Sequence, residues 1–88
     1  MGIDMSYTSS TLDPNDWEAL GDAWQRFTTQ NPHLGLSPSE AAAGRFARKH
    51  YQQFADQGVM LKGILGKYLA HREGFPNAAF ALIVSKAA

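Results

Sequence analysis

The chain has 88 residues, 44% of them hydrophobic, which is enough for one small domain with a core and too few for two. It contains no cysteine, which excludes disulfides, thiolate zinc sites and cysteine nucleophiles. The net charge is zero, but residues 1–44 carry one basic and six acidic side chains (1 − 6 = −5), and residues 45–88 carry seven and two (7 − 2 = +5). This asymmetry indicates attraction between the two halves, a partner surface or a nucleic-acid face.

Residues 1–11 are rich in serine and threonine and show no helical or strand periodicity, so we expect a flexible N-terminal arm followed by a helical domain over residues 12–88. The arm lacks the basic and apolar regions of a secretory signal. No apolar run approaches the roughly 20 residues that a membrane-spanning helix needs. We therefore expect a cytoplasmic protein without membrane contact.

The first predicted helix begins at Asp13, a good N-cap that is followed by Pro14 at the first helical position. It ends near Gln30, because Pro32 disfavours helical dihedrals in the preceding residue. Its large apolar side chains recur at helical spacing and predict core packing: Trp17, Leu20, Trp24 and Phe27.

The second predicted helix has a capping box, with Ser37 as N-cap, Pro38 next and Glu40 at the third helical position. Gly58 is suited to its C-terminal cap. One face is apolar and the other polar. The polar face includes Arg45, Arg48, Lys49, Gln52 and Asp56.

Residues 59–73 predict a third helix around which the rest of the chain packs, with a broad apolar face. Small side chains cluster almost opposite to it: Val59, Gly63, Gly66 and Ala70. Glycine costs about 1 kcal/mol within a helix, which suggests a close helix crossing at this small-residue face. The Gly-x-x-Gly-Lys string lacks the spacing of a phosphate loop and the polar centre of a nucleic-acid clamp.

Residues 77–88 are apolar without clear periodicity, so helix and strand both remain open. Their alanine content and the lack of a visible pairing strand favour a helix. The predicted fold is therefore all-α, a small single-domain bundle of three main helices plus a short apolar C-terminal helix.

The sequence predicts no catalytic, cofactor or metal site, and hence no enzyme. No two of His33, His50 and His71 have the i, i+4 spacing of helical metal ligands. Helix capping already accounts for the carboxylates of Asp13 and Glu40, so they do not indicate a catalytic site. We expect no cofactor.

The leading hypothesis is a non-enzymatic protein–protein interaction module, an adaptor, inhibitor or regulatory subunit, with self-association as a variant. The candidate surface is the small-residue face of Val59, Gly63, Gly66 and Ala70.

The alternative is a nucleic-acid-binding regulator that uses basic residues of the second half: Arg45, Arg48, Lys49, Lys62, Lys67 and Arg72. A helix-turn-helix with residues 59–73 as recognition helix fits poorly, because its first turns carry no Asn, Gln or Arg to contact base edges.

Overall fold

The described part of the chain folds into three helices and a three-stranded sheet. A computed structural model describes residues 13–63 and 65–87, so the predicted arm at residues 1–11 lies outside the described part. The elements in order are β1 (Trp17–Ala19), α1 (Leu20–Gln30), α2 (Glu40–Asp56), β2 (Met60–Lys62), β3 (Tyr68–His71) and α3 (Gly74–Ala87), with 3-10 turns at Pro14–Asp16 and Pro32–Leu34. This is an α+β fold, and the prediction of an all-α helical bundle is wrong.

The sheet is antiparallel throughout and has the order β1-β3-β2. Ala70 of the central strand pairs with Glu18 on one side and with Met60 on the other. Met60 and Ala70 are fully buried, so this register places them in the core. The sheet therefore covers the core with alternate side chains of its central and edge strands.

The predicted helix over residues 59–73 is a β-hairpin. The N–H of Gly63 donates to the carbonyl oxygen of Lys67 over 2.7 Å and closes the loop between β2 and β3. Gly66 has a φ of +81°, a left-handed conformation that glycine adopts without steric cost. The expected apolar face is divided, because Met60 is buried while Leu65 is 84% exposed. The two glycines thus serve the turn, not a helix crossing.

The first helix begins later than predicted. Asp13 does act as a cap, since its Oδ1 accepts from the N–H of Asn15 over 3.0 Å, but the residues after it form a 3-10 turn. The backbone is then extended over Trp17–Ala19, because these residues pair with β3. Helix α1 starts at Leu20 and ends at Gln30, the predicted end.

The other two helices agree more closely with the sequence signals. The N-cap of α2 is Ser39 and not Ser37, and its Oγ accepts from the N–H of Ala42 over 3.1 Å. Residues 77–87 are helical, and α3 starts earlier than predicted, at Gly74. Pro76 is tolerated because it lies in the first turn, where its missing N–H is not needed.

The core is an aromatic cluster where the three helices meet. Phe54 of α2 and Phe75 of α3 are fully buried, with ring centroids 5.6 Å apart at 79°. Phe46 extends the cluster towards Trp24 of α1, at 4.8 Å. Burial of each such side chain stabilises the fold by about 1.5–3 kcal/mol. Residues on this side of α2 are therefore committed to the core, and its opposite side faces out.

Candidate functional site

The outer face of α2 is polar and exposed. Its exposed basic and amide side chains are Arg45, Arg48, Lys49, Gln52 and Gln53. At 3.6 residues per turn they span an arc of roughly 140° on the helix. The opposite side holds Ala43, Ala47 and Phe54, all buried. The helix is thus anchored by one face and exposes the other. We call the five exposed residues the α2 outer face.

The acidic first half of the chain does not neutralise this face. Glu18, whose side chain is 8% exposed, binds Arg26 with two hydrogen bonds of 2.8 and 2.5 Å and also contacts Arg72 at 3.5 Å. The hydrogen bonds that Arg26 donates to Glu18 raise the pKa of Arg26, against the opposing effect of burial. Within residues 13–63 and 65–87, no salt bridge engages Arg45, Arg48 or Lys49.

The β-hairpin borders the α2 outer face on one side. The rings of Tyr51 on α2 and Tyr68 on β3 lie 5.6 Å apart. Lys67, next to Tyr68, lines the same surface depression as Gly44 of α2. Arg48 extends over Gly44, where an added Cβ would lie 3.4 Å from its Nη1. Lys67 and Arg48 therefore contribute charge to neighbouring parts of one surface.

The acidic residues near α2 mark the ends of this basic surface. Asp22 and Glu40 line the depression that also contains Lys67, close to the start of α2. At the other end, the Nε2 of Gln52 donates to Asp56 Oδ1 over 2.9 Å. The positive charge is therefore concentrated in the middle of the helix.

His50 on α2 lies in a positively charged environment. Partial burial lowers the pKa of His50, and the nearby charges of Lys49 and Lys86 lower it further. The side of α2 away from the hairpin, where His50 lines a groove, therefore also carries positive charge.

The sequence-predicted basic residues are brought together only in part. Lys62 and Lys67 flank the hairpin loop and are exposed. Arg72 lies at the other end of β3, where its Nε donates to the carbonyl oxygen of Asn15 over 2.9 Å and its Nη1 contacts Glu18. Arg72 thus has a structural position next to β1, away from the α2 outer face.

The small-residue face does not exist as a face, because the helix that would carry it is absent. Val59 lies in the turn before β2, Gly63 and Gly66 lie in the hairpin loop, and Ala70 is fully buried in the central strand. Their predicted role in binding a protein remains untested.

The sequence interpretation gave no functional role to two exposed amides of this surface, Gln52 and Gln53. Gln52 was placed on the polar face of its helix, which was the available signal for an amide beside the basic residues.

Other kinds of site lack support in the described part of the chain. Among residues 13–63 and 65–87, no three His, Asp or Glu side chains gather so that they could hold a metal ion. No helix in these ranges is both long and apolar enough to span a bilayer. His71 has a structural contact, since its Nδ1 accepts from the N–H of Gly74 over 3.0 Å.

No protein-family model matches this chain, and no curated protein or solved structure is significantly similar to it.

Proposed function

We propose that the protein binds duplex nucleic acid through the α2 outer face. One observation carries the proposal: Arg45, Arg48 and Lys49 lie exposed on a single helical face, without a salt bridge in the described part of the chain. Unpaired basic groups on an anchored helix are the arrangement that phosphates and base edges require.

The dimensions and chemistry of α2 suit a major groove. Its 17 residues give a length of roughly 25 Å and, with side chains, a diameter of about 10–12 Å, close to the width of the B-DNA major groove. Arg and Lys bind guanine, and Gln binds adenine. The exposed Lys62 and Lys67 on the hairpin side would contact the phosphates beside the groove.

The order of elements supports this orientation by analogy. Two consecutive helices precede the hairpin, and in a helix-turn-helix the second helix enters the major groove. Here that helix would be α2, whereas the helix-turn-helix weighed from the sequence used residues 59–73 as its recognition helix and fitted poorly. The connection over residues 31–39 is longer than the usual turn of 3–4 residues. The proposal therefore depends more on the exposed basic residues of α2 than on the order of the elements.

The test is the salt dependence of binding to a labelled duplex of mixed sequence, measured by fluorescence anisotropy. Each phosphate contact contributes about −0.9 to the slope of log K against log salt concentration, so Arg48→Gln is expected to make that slope shallower by about one. Arg72→Gln is the matched control, with the same charge change away from the surface, and it should leave the slope unchanged. Salt-independent binding, or equal effects of both variants, contradicts the proposal.

A second candidate is a protein-interaction module, the function first expected from the sequence. Phe80 and Val84 lie one helical turn apart on α3 and are 41% and 45% exposed. Neighbouring apolar side chains on one face favour contact with a protein, including a second copy of this chain. Sedimentation equilibrium of the wild type and Val84→Lys tests self-association, which the lysine should abolish.

Cytoplasmic location and the absence of enzymatic activity remain predictions from the sequence. Neither is needed for nucleic-acid binding through α2. Fractionation of cells that produce the tagged chain tests the location.

A further inference from the structure

A groove of about 450 Å³ runs along α2 on the side away from the hairpin. It lies between α2 and residues 35–37. Its lining includes Trp24, Leu36, Phe46, Arg45, Lys49 and His50. Its volume lies within the range of small-molecule sites, about 300–1,000 Å³.

The lining combines an apolar floor with a basic rim. Trp24 is 2% exposed and lies behind the half-buried Phe46 at a ring-centroid distance of 4.8 Å, so Phe46 and the half-buried Leu36 supply the accessible apolar surface. Arg45 and Lys49 lie one helical turn apart on α2, and both are exposed at the edge of the groove. No acidic side chain lines this groove within the described part of the chain.

Residues 35–37, which line the groove opposite α2, are fixed in place. The Nε1–H of Trp24 donates to the carbonyl oxygen of Ser37 over 2.7 Å, which ties the 35–37 segment to α1. Leu36 packs against the core from the same segment. A ligand therefore enters a groove that is already formed and does not have to order the loop.

We propose that this groove binds a small aromatic carboxylate. The ring would lie against Leu36 and Phe46, with Trp24 behind them, and the carboxylate would face Arg45 and Lys49. Arginine binds carboxylates with two parallel N–H donors, and aromatic rings pack favourably in offset or edge-to-face arrangements. A neutral aromatic compound would use only the apolar part of the site.

Arg45 and Lys49 also belong to the proposed nucleic-acid surface. A carboxylate bound to them would therefore compete with DNA for the same charges. This competition rests on the proposed function, whereas ligand binding itself does not. The two are separable, because Arg48 contributes to the α2 outer face but does not line the groove.

The test uses 1-naphthylacetate as the probe and its neutral analogue 1-naphthylacetamide as the control. The readout is the indole N–H signal of Trp24 in proton–nitrogen NMR spectra, assigned with Trp17→Phe, which removes the other indole. We expect naphthylacetate to shift this signal saturably and to bind more tightly than the acetamide. Loss of an exposed charge pair corresponds to about a two- to fivefold change in affinity, so Arg45→Gln and Lys49→Gln should each weaken naphthylacetate binding by that factor.

Arg48→Gln is the matched variant on the same helix and should leave naphthylacetate binding unchanged. Three results would overturn the site: no shift of the Trp24 signal, equal binding of the acetamide, or equal weakening by Arg48→Gln. If naphthylacetate binds as expected and the chain does not bind DNA, the groove stands and the proposed function fails. If the chain binds DNA and does not bind naphthylacetate, the proposed function stands and the groove proposal fails.

Discussion

The rings of Tyr51 on α2 and Tyr68 on β3 lie 5.6 Å apart and are tilted by 48°. Both side chains are half-buried, and they join the helix to the hairpin. Lys67 precedes Tyr68 in the chain, and Arg48 lies three residues before Tyr51, about one helical turn away. The aromatic pair therefore sets how the charges of the hairpin lie relative to those of α2.

We predict that Tyr51→Ala and Tyr68→Ala each lower the free energy of unfolding by about 1–3 kcal/mol, because each removes a partly buried ring. The double variant should lose less than the sum, by a coupling energy of about 0.5–1.5 kcal/mol, since the rings contact each other. Urea unfolding of the four proteins measures this coupling. Tyr51→Phe keeps the ring and is the control, and additive losses would contradict a direct contact.

A second prediction concerns the start of α3, where Gly74 lies against Val59. A Cβ at residue 74 would come within 2.6 Å of Val59 Cγ1, and valine has few rotamers with which to avoid it. Gly74→Ala should therefore lower the free energy of unfolding by about 1–3 kcal/mol, the range of overpacking.

The compensating change is Val59→Ala, which removes the obstructing methyl groups. In that background Gly74→Ala should cost much less, and thermal unfolding of the four proteins measures the difference. Gly44→Ala is a control within a helix, since its added Cβ would meet only the flexible end of Arg48 at 3.4 Å. An equal cost of Gly74→Ala with and without Val59 would contradict the packing explanation.

The helices could be predicted where local chemistry decides their limits. Pro32 correctly placed the end of α1 at Gln30, and the serines before Glu40 placed the start of α2 within two residues. The alanine-rich C-terminal segment is helical as favoured. In each case the deciding interaction lies within a few residues of the chain.

The sheet could not be predicted because its pairing joins distant segments. Strand β1 has three residues, too few for a period of two to show, and it pairs with β3, about 50 residues later. The two glycines Gly63 and Gly66 were interpreted as the site of a close helix crossing. Glycine between two short apolar runs, however, also indicates a hairpin. The positive φ of Gly66 decides for the hairpin.

In the candidate site, too, the sequence predicts what local periodicity decides and misses what the pairing of distant segments decides. Arg45, Arg48 and Lys49 share a face because helical periodicity puts them there, and the sequence grouped them correctly. Arg72 was grouped with them by charge alone, whereas the pairing of β1 with β3 brings it to Glu18. Charge counts cannot separate these positions, because partners of opposite charge are chosen by the tertiary fold.

A third prediction tests the hairpin turn directly. Gly66→Ala should lower the free energy of unfolding by about 1–2 kcal/mol, because an L-residue with a Cβ is disfavoured at a φ of +81°. Gly66→Asn should cost less, since asparagine tolerates this conformation better. No described residue has an atom within 4 Å of the added Cβ, so the φ angle is the expected source of the cost. Chemical denaturation that shows equal losses for both variants would argue against the left-handed turn.

The last prediction concerns pH. Partial burial, aided by Lys49 and Lys86, lowers the pKa of His50 in the folded chain, so the unfolded chain binds this proton more tightly. Stability is therefore unaffected well above the ordinary histidine pKa of about 6.5, falls as the pH drops through that value and levels off below the folded pKa. We expect His50→Gln to lose less stability than the wild type between pH 7.5 and 5.5, measured as urea midpoints at each pH. Lys86→Gln should reduce the loss in part, because it removes one of the two charges but leaves the burial. The same pH dependence in the wild type and in His50→Gln would show that other groups cause it.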